Sequence, residues 1–251
     1  MRFLRRVLAF GSLVAALAVA APASAQPAAW PERVWISVSG GVQPSTSGFD
    51  DAFDLPLYTE QEHVTVDYPS GTGALIAGSG ALRVWKRLAI GVGVTHYSGS
   101  GDSAVTASLP HPFFDNTFRN IEGTAPTERT ETGTHVLIGW MWPISGKVRL
   151  LLTAGPSFIS VRHDIVTNVR FSETFPFDTA EFTGVDTRAA SNSATGFNAG
   201  ADVTWMFSKR VGAGALVQVT RASVDLDAGD GRTIRVDAGG AQVGAGLRFV
   251  F

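Results

Sequence analysis

Two short patterns in this sequence could do chemistry. His96 and Ser98 flank Tyr97. Residues two apart in an extended strand point the same way, so an imidazole would stand beside a hydroxyl and could take its proton. Asp225, Asp227 and Asp230-Gly231 set out carboxylates almost as a calcium loop does. The spacing misses that pattern by one residue, and Val236 stands where a bidentate glutamate would close the shell, so an acidic turn is the plainer reading. The five histidines, His63, His96, His111, His135 and His163, show no metal-ligand spacing, and there are no cysteines. Gly91 to Gly93 lies inside an extended run and makes no phosphate loop. No cofactor or metal is expected.

A third set is electrostatic. Arg83, Arg149, Asp202 and Arg248 are charges set among apolar and small residues. What they could do depends on which way each one points, and that depends on the elements that carry them.

Those elements follow a period of two. Leu88-Ala89-Ile90-Gly91-Val92-Gly93-Val94-Thr95 places large apolar residues on one face and Ala, Gly and Thr on the other. Val211 to Thr220 and Ala241 to Phe251 repeat the pattern. Along the chain this predicts about eight strands, near 33–43, 72–85, 88–98, 134–144, 147–158, 196–207, 210–221 and 240–251. The short turns Lys86-Arg87, Ser145-Gly146 and Ser208-Lys209 alternate with the long excursions 44–71, 99–133, 159–195 and 222–239. The fold class expected is all-β: an eight-stranded antiparallel up-and-down transmembrane β-barrel with extended extracellular hairpins. The last hairpin reads as a ribbon turning at Ala228-Gly229-Asp230-Gly231. Val64-Thr65-Val66 and Ile165 to Phe171 suggest similar extensions, and Pro110 to Phe114 a true loop.

A soluble barrel would turn a charged face to water. Here the second face is mostly Gly, Ala, Ser and Thr, and charged residues are only 17% of the 251, which suits a crowded lumen inside a lipid-facing wall. Alternation puts Arg83, Arg149 and Arg248 on the lumen side near one mouth, with Asp202 deeper. They form an ion-pair network or line a very narrow, anion-leaning pore. The small inward glycines suggest a hydrated lumen. Tryptophan is a separate check. Trp30, Trp35, Trp85, Trp140, Trp142 and Trp205 all fall at the short-turn rim, where indoles favour the membrane interface. By parity Trp140, Trp142 and Trp205 face lipid, while Trp35 and Trp85 face inward and plug the mouth.

The first 25 residues read as a cleaved signal peptide: Arg2, Arg5 and Arg6, then an apolar run, then Ala23-Ser24-Ala25. Residues 26–32 form a short periplasmic segment and 33–251 the barrel. The exported chain keeps 17 cationic against 22 acidic residues. No basic field advertises nucleic acid.

The chain ends on Leu247, Phe249 and Phe251, with a terminal Phe. This resembles the C-terminal signal of bacterial outer-membrane barrels. With the signal peptide and strand count, the chain resembles the small eight-stranded outer-membrane β-barrel superfamily of OmpA/OmpX-like, porin-family proteins. The resemblance implies a Gram-negative outer-membrane location, periplasmic termini and short turns, extracellular loops, and a non-enzymatic structural or surface-binding role. It implies as partners the membrane lipid, the barrel assembly machinery acting on the last strand, and an extracellular partner that the sequence does not name. Trp140, Trp142, Trp205, Phe249 and Phe251 would form the aromatic girdle. The alternative comes from His96 and Ser98, which are similar to the His-x-Ser pair of outer-membrane lipid A deacylases and would imply hydrolysis on the outer wall. Here the pair lies early in the chain, and Gly99-Ser100-Gly101-Asp102 follows it, unlike that family.

Overall fold

Alternating runs of this kind satisfy their backbone only by pairing with neighbours, and in lipid that pairing must close on itself. The computed structural model describes residues 32–229 and 231–251. The expected signal peptide, Trp30 and Asp230 lie outside the described residues. Ten strands are present: β1 (Val34–Gln43), β2 (Phe49–Leu57), β3 (Glu60–Tyr68), β4 (Gly73–Trp85), β5 (Leu88–Pro110), β6 (Phe118–Pro143), β7 (Val148–Glu173), β8 (Ala180–Met206), β9 (Val211–Gly229) and β10 (Arg232–Val250). Eight of them close a ring in the order β5-β4-β1-β10-β9-β8-β7-β6, with β6 pairing back onto β5 along the whole of β5, from Leu88↔Trp140 to Pro110↔Phe118. Every pairing is antiparallel. The expected barrel is therefore present.

The eight expected strands form the ring, and two further strands lie outside it. β2 and β3 form a hairpin outside the ring, and Val64-Thr65-Val66 lies in it rather than in an extension of a ring strand. The reason lies on β5. On the edge away from β6 it pairs with β4 up to Ala74↔Ser98, loses that partner, and is taken up by β3 from Asp67↔Ala104 to His63↔Ser108. A long strand needs its edge covered, and the hairpin covers it. The other excursions are strand continuations. The expected loop after Pro110 is real and spans 111–117.

In the lower half, Ile36, Val38, Ile76, Leu82, Ile90, Val92, Val94, Val217 and Leu247 point outward and are exposed, forming a lipid belt. Trp140, Trp142, Trp205 and Phe251 stand outward at the short-turn rim, with Phe249 half-buried beside them. Phe158 and Phe197 are exposed at the opposite border. From Trp205 to Phe197 along β8, at about 3.3 Å per residue and a tilt near 40°, the belt rises about 20 Å, close to the apolar band of outer-membrane barrels.

Trp35 is 1% exposed and plugs the lower mouth with Met141, Leu151, Met206 and Val250, as parity requires. Trp85 departs from expectation. It is 61% exposed, because the β4–β5 register shifts between Arg83 and Trp85 and turns the indole outward. Lys86 lies 4.6 Å over its ring and Arg87 6.0 Å from that of Trp142, so turn cations rest on indoles at headgroup level.

Above the belt the wall parts. β8–β9 pairing ends at Gly196↔Ala222 and β1–β10 pairing at Val42↔Val243. The β9–β10 ribbon then faces a sheet of β2, β3, β5, β6, β7 and β8 across an apolar core that includes Val64, Val66, Leu109, Val161, Ile165, Leu226 and Val236.

Candidate functional site

The lumen holds the predicted charges. Arg248 is 0% exposed and its guanidinium grips Asp202 through Nε at 2.8 and 3.0 Å and Nη2 at 2.7 Å. Its Nη1 donates to the carbonyls of Leu247 and Val38, and Thr204 donates its hydroxyl to Asp202 at 3.0 Å. Gly214 makes the room: a Cβ there would lie 2.9 Å from the Arg248 Nε and 3.0 Å from the Thr204 Oγ1. Arg149 does not join this pair. It donates to Glu32, just before β1, at 2.8 Å. Arg83 is half-buried at the same mouth. The structure thus joins Asp202 with Arg248 and separates both from Arg149, whose carboxylate partner was not among the predicted residues.

The lumen also contains a polar chain that alternation alone did not single out. His135 hydrogen-bonds with Ser157 through Nδ1 at 2.8 Å and with Thr95 through Nε2 at 2.9 Å, and Asn198 donates to the Ser157 hydroxyl at 2.9 Å. Gly133 leaves room for this imidazole, since a Cβ there would lie 2.7 Å from the ring. The sequence signal was available: four polar residues on inward parity of four paired strands. Small inward residues therefore accommodate large neighbours. The space left between Trp35, His135, Leu137 and Gln218 is a cavity of about 30 Å³, and one of about 10 Å³ lies above it by Tyr97 and Glu131. Each holds one or two waters at most.

A buried ion pair roofs the lumen. Arg129 meets Glu131 at 2.7 Å and donates to the carbonyls of Asp237 and Ser47, while Glu131 accepts from the Gly239 amide at 2.8 Å. This ties β6 to β10 across the barrel. Above it His163 packs edge-on against Tyr68 and Phe49 of the β2–β3 hairpin. Burial pushes this imidazole down to about 4. The Arg129 charge adds to that, against the opposing effect of the bond His163 donates to the Asp164 carbonyl.

His96 and Ser98 lie on the outer wall at the upper border of the belt, as expected. The His96 Nδ1 contacts the Thr132 hydroxyl at 3.1 Å, where a catalytic triad would place a carboxylate. Asp225 binds Arg235 through both oxygens, and Asp227 caps the Gly229 amide. Among the described residues no cluster of carboxylates and imidazoles is built to hold a metal.

The far end of the upper half, beyond the belt, is a second constructed feature. Phe175, Phe113 and Phe114 are 83%, 70% and 62% exposed, on two neighbouring turns. Arg119 fastens those turns together. It donates to Glu173, to the Phe177 carbonyl at 2.9 Å and to the Pro110 carbonyl at 2.7 Å. Tyr58, at the β2–β3 turn, donates to the same Glu173. Burial would raise the Glu173 carboxyl, but the Tyr58 and Arg119 bonds outweigh it and hold the carboxyl below its usual range. The His111 Nδ1 accepts from the amides of Phe113 and Phe114, and Phe177 packs against Phe113 and Phe175. The sequence marks only Pro110 to Phe114 as loop; the cluster needs that turn to meet a second one, and Arg119 bridges to Phe177, 58 positions away.

A closed ring of antiparallel strands, apolar outside and polar inside, with an aromatic border, defines a small transmembrane β-barrel. Similar solved structures are OprG, an outer-membrane protein of Pseudomonas aeruginosa (10% identity, TM-score 0.46, 88% of this chain and 96% of that one); neisserial surface protein A (10%, 0.45, 87% and 97%); and Ail, the attachment invasion locus protein of Yersinia pestis (14%, 0.35, 87% and 99%). No protein-family model matches the sequence, and neither does any curated protein.

Proposed function

We propose that this protein is a non-enzymatic outer-membrane barrel with a closed lumen, whose role is to hold a rigid aromatic binding surface outside the cell. The observation that carries this reading is the pairing of a filled lumen with a fastened, exposed aromatic tip. Trp35, Met141, Leu151 and Met206 fill the lower mouth, and Arg129 and Glu131 close the roof. Arg248 and Arg149 each face a carboxylate, so the fixed positive charge that an anion-leaning pore would need is largely cancelled. Large apolar side chains held in water on a surface mark an interaction site. In this reading the short-turn rim, where β1 begins and β10 ends, is periplasmic, and β10 (Arg232–Val250), followed by Phe251, is the strand offered to the assembly machinery.

Planar-bilayer recording of the refolded chain tests the closed lumen. No steady current is expected, and a sustained ion-selective current would overturn it. Protease added to intact cells tests orientation. Cleavage is expected only beyond the belt, and cleavage at Lys86-Arg87 would reverse the topology.

A further inference from the structure

The aromatic tip is surrounded by one sign of charge. The three segments that form it, 54–62, 111–119 and 173–181, hold seven carboxylates against a single guanidinium, that of Arg119. Arg119 is buried and committed to Glu173. The exposed carboxylates next to the phenylalanines in the chain are Asp115 and Asp178, the latter 3.9 Å from the His111 Nε2, and Glu60 accepts from the Asn116 amide on the same turn. The tip therefore offers apolar rings inside an acidic field.

From this pairing we infer that the tip docks a cationic polypeptide segment that also carries apolar side chains; the inference rests on the surface-binding reading above and names the chemistry of its partner. Complementary charge steers such a segment in and selects it over others. Phosphorylated lipid headgroups and sulfated sugars carry the same sign as the tip and are repelled. A second copy of the chain is repelled for the same reason. A neutral bilayer would take the rings but would strip water from the exposed carboxylates of Asp115 and Asp178, an unfavourable desolvation. The rings are already held: Phe113 lies 5.6 Å from Phe177, Phe175 lies 6.0 Å from Phe177, and the backbone amides of Phe113 and Phe114 are bound by His111. Little ordering is left to be done on binding, which favours tight association from a small patch.

The test uses the full chain in phosphatidylcholine nanodiscs and a labelled peptide of alternating Arg and Leu, read by fluorescence anisotropy against empty discs. The comparisons are the charge-inverted Glu–Leu peptide and the variants Phe113→Ser/Phe175→Ser and Asp115→Asn/Asp178→Asn. All four positions face solvent, so the barrel is expected to keep its heat-dependent gel shift. Loss of affinity of about tenfold is expected in either variant, with further weakening as salt is raised. Equal binding to parent and variants, or equal binding of the acidic peptide, would overturn the inference. Phenylalanine-dependent binding to neutral vesicles, or Phe-dependent self-association, would overturn the cationic partner while leaving a binding tip in place. If the phenylalanines change none of these measurements, the surface-binding reading falls with it.

Discussion

The lower and upper halves of β9 differ in a way that parity alone does not announce. In the lower half Val217 and Val219 face outward and Gln218 and Thr220 inward. From Arg221 upward the same alternation continues, but Arg221, Ser223 and Asp225 face outward, and Val224 and Leu226 are buried within. No residue is inserted between the two halves and the register with β10 runs on, from Val219↔Ala241 to Leu226↔Ile234. Only the chemistry of the faces has changed places. β5 does the same: Val92 and Val94 face outward below, whereas Asp102 and Thr106 face outward above, over buried Val105 and Leu109. The cause is the surrounding medium. A wall in lipid must be apolar outside, and a wall in water must be apolar inside. Each strand therefore records the height at which it leaves the membrane.

The strongest way to break this comparison is at the buried lumen pair. Asp202→Ala leaves Arg248 charged and unpaired and is expected to cost about 3–5 kcal/mol in urea unfolding of the refolded barrel. Replacing both residues with Leu and Met should restore most of that. If the single substitution is silent, Arg248 has water or another partner that a closed lumen does not provide.

A more direct test places one charge at two heights of one strand face. Val92→Arg puts a guanidinium in the lipid belt and should cost about 2–4 kcal/mol. Thr106→Arg, outward on the same strand above the belt, should change stability by no more than about 0.5 kcal/mol. Equal effects would mean that the upper half is not in water.

The upper core should also respond to acid. The His163 imidazole has its proton affinity lowered from an ordinary 6.5 to about 4 in the folded state. Below pH 6.5 the unfolded chain takes up a proton that the folded chain refuses, so stability is full above 6.5 and falls as pH drops toward 4. The loss should not exceed about 3 kcal/mol, read as faster hydrogen exchange in β3 and β7. His163→Phe should flatten the dependence over that window. An unchanged profile would show that the hairpin opens too easily to bury the ring.

How much was legible beforehand varies with the kind of interaction. The period-two runs, the three tight turns and the border tryptophans marked the ring and its lipid belt, because each of these is a local pattern with one medium on each side. Trp85 was misplaced because a bulge of one register step, which leaves no trace in residue type, reverses every face beyond it. The partner exchange on β5 was hidden for another reason. Strands 60–68 and 88–110 give no local sign of which neighbour covers which part of an edge.

By itself the sequence determined that alternating strands would close into a barrel and which face of each would meet lipid, since alternation and the transfer of apolar groups out of water act residue by residue. Tertiary structure decided the rest. It chose Glu32 for Arg149 and Asp202 for Arg248, assembled Thr95, His135, Ser157 and Asn198 into one chain of hydrogen bonds, and brought Phe113 and Phe175 to one tip under Arg119. These contacts join residues from 22 to 117 positions apart. Their partners are set by where the closed wall places them in space, and no spacing along the chain records that distance.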